Sequence, residues 1–377
     1  MKTLDLYLLG AFLKVLVICF LSLTGLYIVI DVFGNLEEFI RHGERHGSLL
    51  VVIADYYGAR VISFFDRTSA ILVLIAVLFT ITWFQRNNEM TAMMAGGVSK
   101  FRIVAPLILA ALIVSVLATI SRETVIPRAS DKLSRNAQDW WGERAKPVHP
   151  RYDNETDILF QGKHTVAKNR RIVEPHFRLP DAMQSFSSQL TAKNAFYHPP
   201  SAGRPGGYLF HDVKRPENLD ELRAVEQNGK KVILTPSETP WLRPTQCFVV
   251  SNISFEQLEG GMSWRQHSST LQLLRALRNP SLDFGADVRV TVHTRLVQPL
   301  IDMTLLFLGI PLLLSREQHN VFRAAGLCLL VIAAFYLVVV TCQGLGASYL
   351  ISPALAAWCP LLVGVPTAIM LSRPLWE

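Results

Sequence analysis

The sequence predicts a helical membrane protein with six transmembrane helices and an all-β domain inserted in the middle of the chain. Three apolar segments precede a long charged stretch rich in Pro and Gly, and three more apolar segments follow it. Half of the 377 residues are hydrophobic and only 18% are charged, whereas charged residues make up about 25% of a typical soluble domain. About 20 apolar residues are needed to cross the hydrocarbon core of a bilayer. These observations exclude an ordinary soluble enzyme.

The apolar segments form two blocks around the insert. The predicted domains are a first membrane block over residues 1–123, an inserted domain over residues 124–287 and a second membrane block over residues 288–377. The first apolar segment is long, contains Lys14 and has no small-residue cleavage site before Asp31, so we interpret it as a transmembrane helix rather than a cleaved signal peptide. The predicted spans are Leu13–Phe33, Thr68–Phe84 (extended outward by Val61–Phe65), Ile103–Ile120, Leu296–Leu314, Ala324–Thr341 and Ile351–Leu371.

Basic residues near the span ends predict that both termini are cytoplasmic. Lys and Arg are enriched on the cytoplasmic side of transmembrane helices. One set of span ends is basic throughout, whereas the opposite loops either mix arginines with acidic residues or, between Gln343 and Ser352, carry no charge. Because the insert follows the third span, we expect it outside. The predicted cytoplasmic residues are Lys2, Lys14, Arg86, Lys100, Arg102, Arg316, Arg323 and Arg373.

The insert is predicted to be an antiparallel β-sandwich or jelly roll. Short segments suited to strands alternate with turns rich in Asn, Asp, Gly and Pro. A helix is expected on each side of them, over residues 123–144 and over Ser268–Arg278, the latter with Leu271, Leu274 and Leu277 on one face. The predicted strands are Ile158–Gln161, His164–Ala167, Arg170–Val173, Ser185–Leu190, Ala195–Tyr197, Tyr208–Val213, Lys231–Thr235 and Phe248–Val250.

The loop between the second and third spans predicts a short cytoplasmic helix. Asn88 is expected to cap it, Glu89 is favourable in its first turn, and Gly96 or Gly97 can end it. The residues between are rich in Met and small side chains, and Met adapts to irregular surfaces. Such a helix can lie in the groove of a partner protein. The alternative is a helix that only rests at the membrane interface.

The order of these motifs resembles the LptF/LptG family, the membrane subunits of a lipopolysaccharide-export ABC transporter. The resemblance covers nearly the whole chain. The start of the chain, at Leu4–Tyr7 and over residues 22–31, is similar to the LptG side of the family. The other segments that carry the resemblance are the loop over residues 89–102 with Pro106, the strand segments 189–197 and 207–213, and the run 293–300 with Gly309, Ile310 and Pro311.

The resemblance implies a permease subunit in the bacterial inner membrane with a periplasmic jelly roll. Such a subunit would extract lipopolysaccharide from the outer leaflet and pass it to a periplasmic bridge. The implied partners are a cytoplasmic LptB-like ATPase dimer, an LptF-like sister permease, a single-span LptC-like jelly-roll protein and a soluble LptA-like bridge protein. ATP and Mg would bind to the ATPase, because this chain has no G-x-x-x-x-G-K-[ST] loop. No enzymatic activity, cofactor, metal site or nucleic-acid partner is expected for the chain itself.

Two groups of site residues follow. The resemblance assigns ATPase coupling to the helix over residues 88–99, with Glu89, Ala92, Met93, Ala95, Gly96, Gly97, Ser99 and Arg102. Arginines at the outer span ends are candidates for contact with substrate phosphates, because the guanidinium fork matches phosphate, although such residues also anchor helices at lipid headgroups. These candidates are Arg41, Arg45, Arg60, Arg67, Arg122, Arg128 and Arg135.

The outer end of the first span departs from LptG-type chains, which tend to place lysines there. This chain has Asp31, Glu37 and Glu38 instead, and its first base is Arg41. Asp302 lies inside the fourth predicted span. An intramembrane charge is a functional hypothesis by default, and the alternative is a structural ion pair or hydrogen bond.

Two other functions fit parts of the sequence. The first is an ABC-type permease or mechanotransmitter for another lipid or a lipoprotein. The second is a membrane-anchored scaffold or enzyme with an outer β domain. An enzyme would need a nucleophile and a base that converge, and the adjacent His211 and Asp212 would point to opposite faces of a strand.

Overall fold

The computed structural model describes residues 2–46, 48–201, 204–227, 229–259, 261–314 and 321–372. The chain divides into two compact units, Met1–Ala129 with Gly285–Glu377, and Ser130–Phe284. The predicted domain boundaries at residues 124 and 287 lie close to these divisions. Arg316 and Arg373 of the predicted cytoplasmic set lie outside the described residues, as do the side chains of Lys2, Arg45 and Arg323.

Within the described residues, the first unit contains six helices that are long and apolar enough to cross a membrane. Each overlaps one predicted span, which confirms the helical membrane class. Five of these helices extend beyond at least one predicted end, because hydropathy marks only the part of a helix that lies in hydrocarbon, whereas α12 begins two residues after its predicted start. These helices are α1 (Lys2–Gly34), α3 (Leu49–Arg86), α5 (Lys100–Arg128), α10 (Ala286–Leu314), α11 (Val321–Ala347) and α12 (Pro353–Leu371).

Two shorter helices connect the first three spans. Helix α2 (Leu36–His46) follows α1, and helix α4 (Glu89–Ala95) lies between α3 and α5. Helix α2 was not predicted, because its strongly amphipathic sequence resembles a polar loop when only mean hydropathy is considered. Arg60 and Arg67, which precede the predicted second span at Thr68–Phe84, lie on α3 and not in a loop.

The six long helices pack as two groups joined through α10. Helices α1, α3 and α5 contact one another, α10 contacts α11 and α12, and α10 also packs on α3 and α5. Leu72, Leu107 and Ile310 lie fully buried at the centre. Helix α1 is the least covered, because only 11% of its most apolar stretch is buried. Most of the apolar surface of α1 is therefore available to contact lipid or another chain.

The second unit is built on one ten-stranded antiparallel sheet. Its strand order is β1-β4-β5-β6-β7-β10-β9-β8, with β2 paired to β3 and β3 to β5. The inserted β domain is confirmed, but its strands form one continuous hydrogen-bonded sheet rather than two separate ones. The strands are β1 (Lys146–Pro147), β2 (Arg151–Asp153), β3 (Ile158–Phe160), β4 (Gly162–Val166), β5 (Arg171–Arg178), β6 (Gln189–His198), β7 (Gly207–Arg215), β8 (Val225–Gln227), β9 (Lys230–Leu234) and β10 (Gln246–Val250).

An aromatic cluster forms the core of the β domain. The rings of Phe160 and Phe177 stack with their centroids 4.2 Å apart, and Tyr208 and Phe210 are fully buried beside them. The Tyr208 hydroxyl donates to the Ile253 carbonyl oxygen at 3.2 Å, so this buried polar group is satisfied.

The cysteine of the β domain is part of its interior. Burial raises the pKa of the Cys247 thiol, so this side chain stays protonated and packs as a small apolar group. All five cysteines are free thiols. The β domain is therefore stabilised by its core rather than by a disulfide.

Three details of the predicted insert are wrong. The helix predicted over residues 123–144 is interrupted, because α5 ends at Arg128 and is followed by the short helix α6 (Ser130–Leu133) and a 3₁₀ turn. The strand predicted over Ser185–Leu190 begins only at Gln189. Strands β1, β2 and β8 were not predicted, because each has only two or three residues and no apolar alternation.

The helices that follow the strands are α7 (Phe255–Glu259), α8 (Gly261–His267) and α9 (Thr270–Leu277). Helix α9 starts with a capping box, in which Ser269 and Gln272 bond to each other's backbone. Its buried residues are Thr270, Leu273 and Ala276, whereas Leu271, assigned to the apolar face, is 64% exposed. A spacing of three residues drifts around a helix with 3.6 residues per turn, so it does not identify the buried face.

Candidate functional site

Helix α4 has the predicted position but different ends. Asn88 precedes it with a left-handed backbone (φ 57°) and makes no side-chain cap. The helix ends at Ala95, and Gly97 follows with φ 82°, a conformation that favours glycine. The prediction that the helix reaches Ser99 is wrong. Ser99 instead caps α5, where its hydroxyl accepts from the Arg102 backbone N–H.

The two faces of α4 differ in residue size. Met90 is only 4% exposed and belongs to the bundle core, and Met93 and Met94 pack against the same core. A helix of seven residues is not stable alone, so these methionines hold it in place. Met93, one of the predicted coupling residues, therefore packs against the bundle, and its role in coupling stays a prediction. The outward surface consists of small residues, namely Thr91, Ala92, Ala95, Gly96 and Gly97.

Two polar contacts connect this region to the start of α1. The Tyr7 hydroxyl donates to Glu89 Oε2 at 3.0 Å, and the Arg102 guanidinium donates to Asp5 Oδ2 at 2.9 Å. Two predicted coupling residues, Glu89 and Arg102, therefore bond to the first turns of the first span. Neither Asp5 nor Tyr7 was predicted as a site residue, because the sequence does not show which side chains approach the loop. The Tyr7–Glu89 contact therefore joins α4 to α1, and the Asp5–Arg102 contact joins α5 to α1.

The opposite end of the bundle contains a partly buried ion pair. Arg122 Nε lies 3.0 Å from both carboxylate oxygens of Asp66, and Arg122 Nη2 lies 2.9 Å from Asp66 Oδ1. The two side chains are only 16% and 11% exposed. Arg295 on α10 interacts electrostatically with both of them and with Glu123. Arg122, one of the predicted phosphate contacts, is thus engaged by a carboxylate of its own chain.

Aromatic side chains surround another of the predicted arginines. The Arg60 guanidinium lies 3.5 Å from the centroid of the Tyr56 ring and donates to the Tyr56 carbonyl oxygen. The neighbouring Tyr57 hydroxyl donates to Asp31 Oδ2, and Phe39 packs edge-on against Tyr56. This tyrosine cluster was missed, although aromatic residues at span ends are a signal of the membrane interface.

The other candidate arginines are dispersed. Arg41 is exposed and lies 3.8 Å from Glu38, and Arg67 and Arg128 are exposed on α3 and α5. Arg135 belongs to the second unit, where it donates to the Trp140 carbonyl oxygen. The side chain of Arg45 lies outside the described residues. Within the described part of the first unit, the candidates do not converge on one pocket.

Asp302 is held between two hydrogen-bond donors inside the bundle. The Ser115 hydroxyl donates to its Oδ2 at 2.9 Å, and the Gln298 amide donates to its Oδ1 at 2.8 Å. A cavity of about 10 Å³, also lined by Ser69, adjoins the carboxylate. Of the alternatives for Asp302, this geometry favours a structural hydrogen-bonded group that joins α5 to α10.

Replacement of Asp302 by Ala is expected to lower the free energy of unfolding by about 1–3 kcal/mol, because Ser115 and Gln298 lose a buried acceptor. Asp302→Asn keeps an acceptor and a similar shape, so we expect it to cost less than Asp302→Ala. Denaturant unfolding of the purified protein in detergent measures both values. If Asp302→Asn lowered the free energy of unfolding as much as Asp302→Ala, the negative charge of Asp302 rather than its hydrogen bonds would stabilise the bundle.

Among the described residues, no group of three or more His, Cys, Asp or Glu side chains is placed to hold a metal ion. The chain matches the model of a protein family. The model described as "Lipopolysaccharide export system permease LptF/LptG" matches residues 6–374, nearly the whole chain. A search of curated proteins found no match.

Proposed function

We propose that this chain, which belongs to the LptF/LptG family of lipopolysaccharide export permeases, is one membrane subunit of an ABC transporter that extracts lipopolysaccharide from the outer leaflet of the inner membrane. The family and the six apolar helices identify a multi-pass inner-membrane protein of the lipopolysaccharide transport system. The finer steps below are our proposal.

Helix α4 carries the proposal, because its geometry suits it to receive force from another protein. Its methionines fix it to the bundle, while its small residues leave a shallow surface on which a partner can approach closely. We propose that a cytoplasmic LptB-like ATPase dimer, which binds ATP and Mg, docks there. Closure of the dimer would move α4, and the Tyr7–Glu89 contact would pass that movement to α1, which the Asp5–Arg102 contact also joins to α5.

The uncovered face of α1 supports a lateral route for lipid. In our proposal this face meets an LptF-like sister permease, and the two chains enclose a cavity open to the outer leaflet. Lipid would enter between the first span of one chain and the fifth span of the other. Movement of α1 would narrow the cavity and push the lipid outward. Both termini would be cytoplasmic, and the β domain would lie in the periplasm.

The β domain would be the exit from the membrane. The strand order ends at the short strands β1 and β8, and an edge strand can pair with a strand of another protein. We propose that a single-span LptC-like protein and a soluble LptA-like protein continue the sheet as a bridge.

Ala92→Trp is expected to reduce binding of the ATPase subunit by at least about tenfold, equivalent to about 1.4 kcal/mol. A bulky ring on the exposed small-residue face would separate the two surfaces. Because Ala92 is exposed, the variant should insert and fold normally. Co-purification and lipopolysaccharide-stimulated ATP hydrolysis are the measurements. Ala92→Ser keeps a small side chain and is the matched control, and normal coupling in Ala92→Trp would contradict docking at α4.

The substrate can be tested separately. A photo-crosslinker at the exposed Ile18 of α1 should capture lipopolysaccharide in cells. Capture of ordinary phospholipid alone would favour the alternative of a transporter for another lipid.

A further inference from the structure

Helices α1 and α3 enclose a groove of about 540 Å³ at the end of the bundle that carries α4. Tyr7, Gly10 and Lys14 line it on α1, and Phe79 and Trp83 line it on α3. Its volume lies within the range of about 300–1,000 Å³ that is typical of ligand sites. The groove is separate from the outward face of α4 and from the charged cluster around Arg122.

The helical repeat explains the groove. Residues 7, 10 and 14 fall on one face of α1, because positions three to four apart lie above one another on a helix. Gly10 leaves the floor open, since a Cβ atom there would meet nothing within 4 Å. The rings of Phe79 and Trp83 stack with their centroids 6.4 Å apart and form an apolar wall. A flexible hydrocarbon chain can occupy such a surface.

Lys14 adds a positive charge to this apolar site. It is exposed on a membrane-spanning helix and makes no hydrogen bond or ion pair with the described part of the chain. Side chains on a helix lean towards its N-terminus, so Lys14 points towards the end of the bundle where Tyr7 and Trp83 lie. Tyr7 is seven residues away, about 10 Å along the helix, a distance that a long lysine side chain partly covers. An ammonium group in a membrane is costly unless an anion meets it.

We propose that this groove binds one anionic phospholipid, with its phosphate on the Lys14 ammonium, which points towards the Tyr7–Trp83 end, and with an acyl chain that runs from there past Phe79 towards the middle of α1. Basic grooves between transmembrane helices are a recognised way to bind anionic headgroups. In the orientation proposed above, the lipid belongs to the cytoplasmic leaflet, and only this choice of leaflet rests on the proposed function. Because Tyr7 both walls the groove and bonds to Glu89, the lipid would lie beside the link between α1 and α4.

Native mass spectrometry of the purified full-length protein tests this site. The probes are phosphatidylglycerol and phosphatidylcholine with identical acyl chains. We expect the wild type to retain phosphatidylglycerol about fivefold better, the effect of one basic residue near an anionic lipid. Lys14→Gln should lose this preference. Arg86→Gln removes an exposed charge at the same end of α3 and should keep the preference.

A second variant tests the groove rather than the charge. Gly10→Leu fills the floor, leaves Lys14 intact, and should lower retention of both lipids. An unchanged preference in Lys14→Gln, or equal retention of both lipids by the wild type, would overturn the proposal. Retention of neither lipid would also overturn it and would indicate that protein covers the groove. The assay needs no ATPase and no lipopolysaccharide, so its result is independent of the transport cycle.

Discussion

Arg122→Gln is expected to lower the free energy of unfolding of the transmembrane unit by about 3 kcal/mol, the lower end of the cost of removing one partner from a buried ion pair, because this pair is only partly buried. The substitution leaves the Asp66 carboxylate with little solvent and without its three short contacts to the guanidinium. Denaturant titration of the purified protein in detergent measures the change.

A double-mutant cycle separates the pair from its surroundings. Asp66→Asn should cost a similar amount, and Asp66→Asn with Arg122→Gln should cost less than the sum, because no unpaired charge remains. Arg128→Gln is the matched control, since this exposed arginine lies on the same helix and surface substitutions usually change stability by less than about 0.5 kcal/mol. If Arg122→Gln and Arg128→Gln had equal effects, the pair would contribute nothing to stability.

This pair also bears on the substrate. A phosphate would have to displace Asp66 in order to reach Arg122 in the geometry observed. Arg41 and Arg128 are exposed, and the 3.8 Å contact of Arg41 with Glu38 is longer than the contacts of Arg122 with Asp66. If arginines of this chain contact substrate phosphates, the exposed ones are the better candidates, and Arg122 contributes mainly by joining α3 to α5.

The sequence was sufficient to predict features that depend on local composition. The six spans follow from runs of apolar residues, because the hydrocarbon core requires them whatever their neighbours are. The position of α4 follows from Gly96 and Gly97, which stop a helix locally. Strands such as β7 and β10 were found for the same reason, since β-branched and aromatic residues alternate with turn residues there.

Features that depend on distant neighbours could not be predicted. Asp66 and Arg122 are 56 residues apart in the sequence, and Ser115 and Asp302 are 187 residues apart. A single sequence does not show which acidic residue pairs with which basic residue, so every outer arginine was an equal candidate for contact with substrate phosphates. For the same reason, the sequence did not show whether the methionines of α4 point outward or into the bundle. They are as compatible with an outward docking surface as with an inward anchor until the position of the bundle core is known.

Phe177→Ala is expected to destabilise the β domain by about 3–5 kcal/mol, because a fully buried ring is replaced by a cavity. Phe177 stacks on Phe160 and lies against Tyr208 and Phe210, so its loss removes contacts from the centre of the core. Protease resistance and near-ultraviolet circular dichroism of the domain are the measurements. Phe196→Ala is the matched control, since that ring is only partly buried on β6.

Phe177→Ala also tests whether binding of the ATPase subunit is independent of lipopolysaccharide transfer from the β domain. Helix α4 belongs to the other compact unit, so Phe177→Ala should still bind the ATPase subunit normally. Transfer of lipopolysaccharide to a soluble bridge protein should fall strongly, because the proposed exit surface is the folded sheet. Loss of ATPase binding together with transfer would show that the two units do not act separately. Normal transfer by a protein whose β domain is unfolded would contradict the proposal that this domain is the exit.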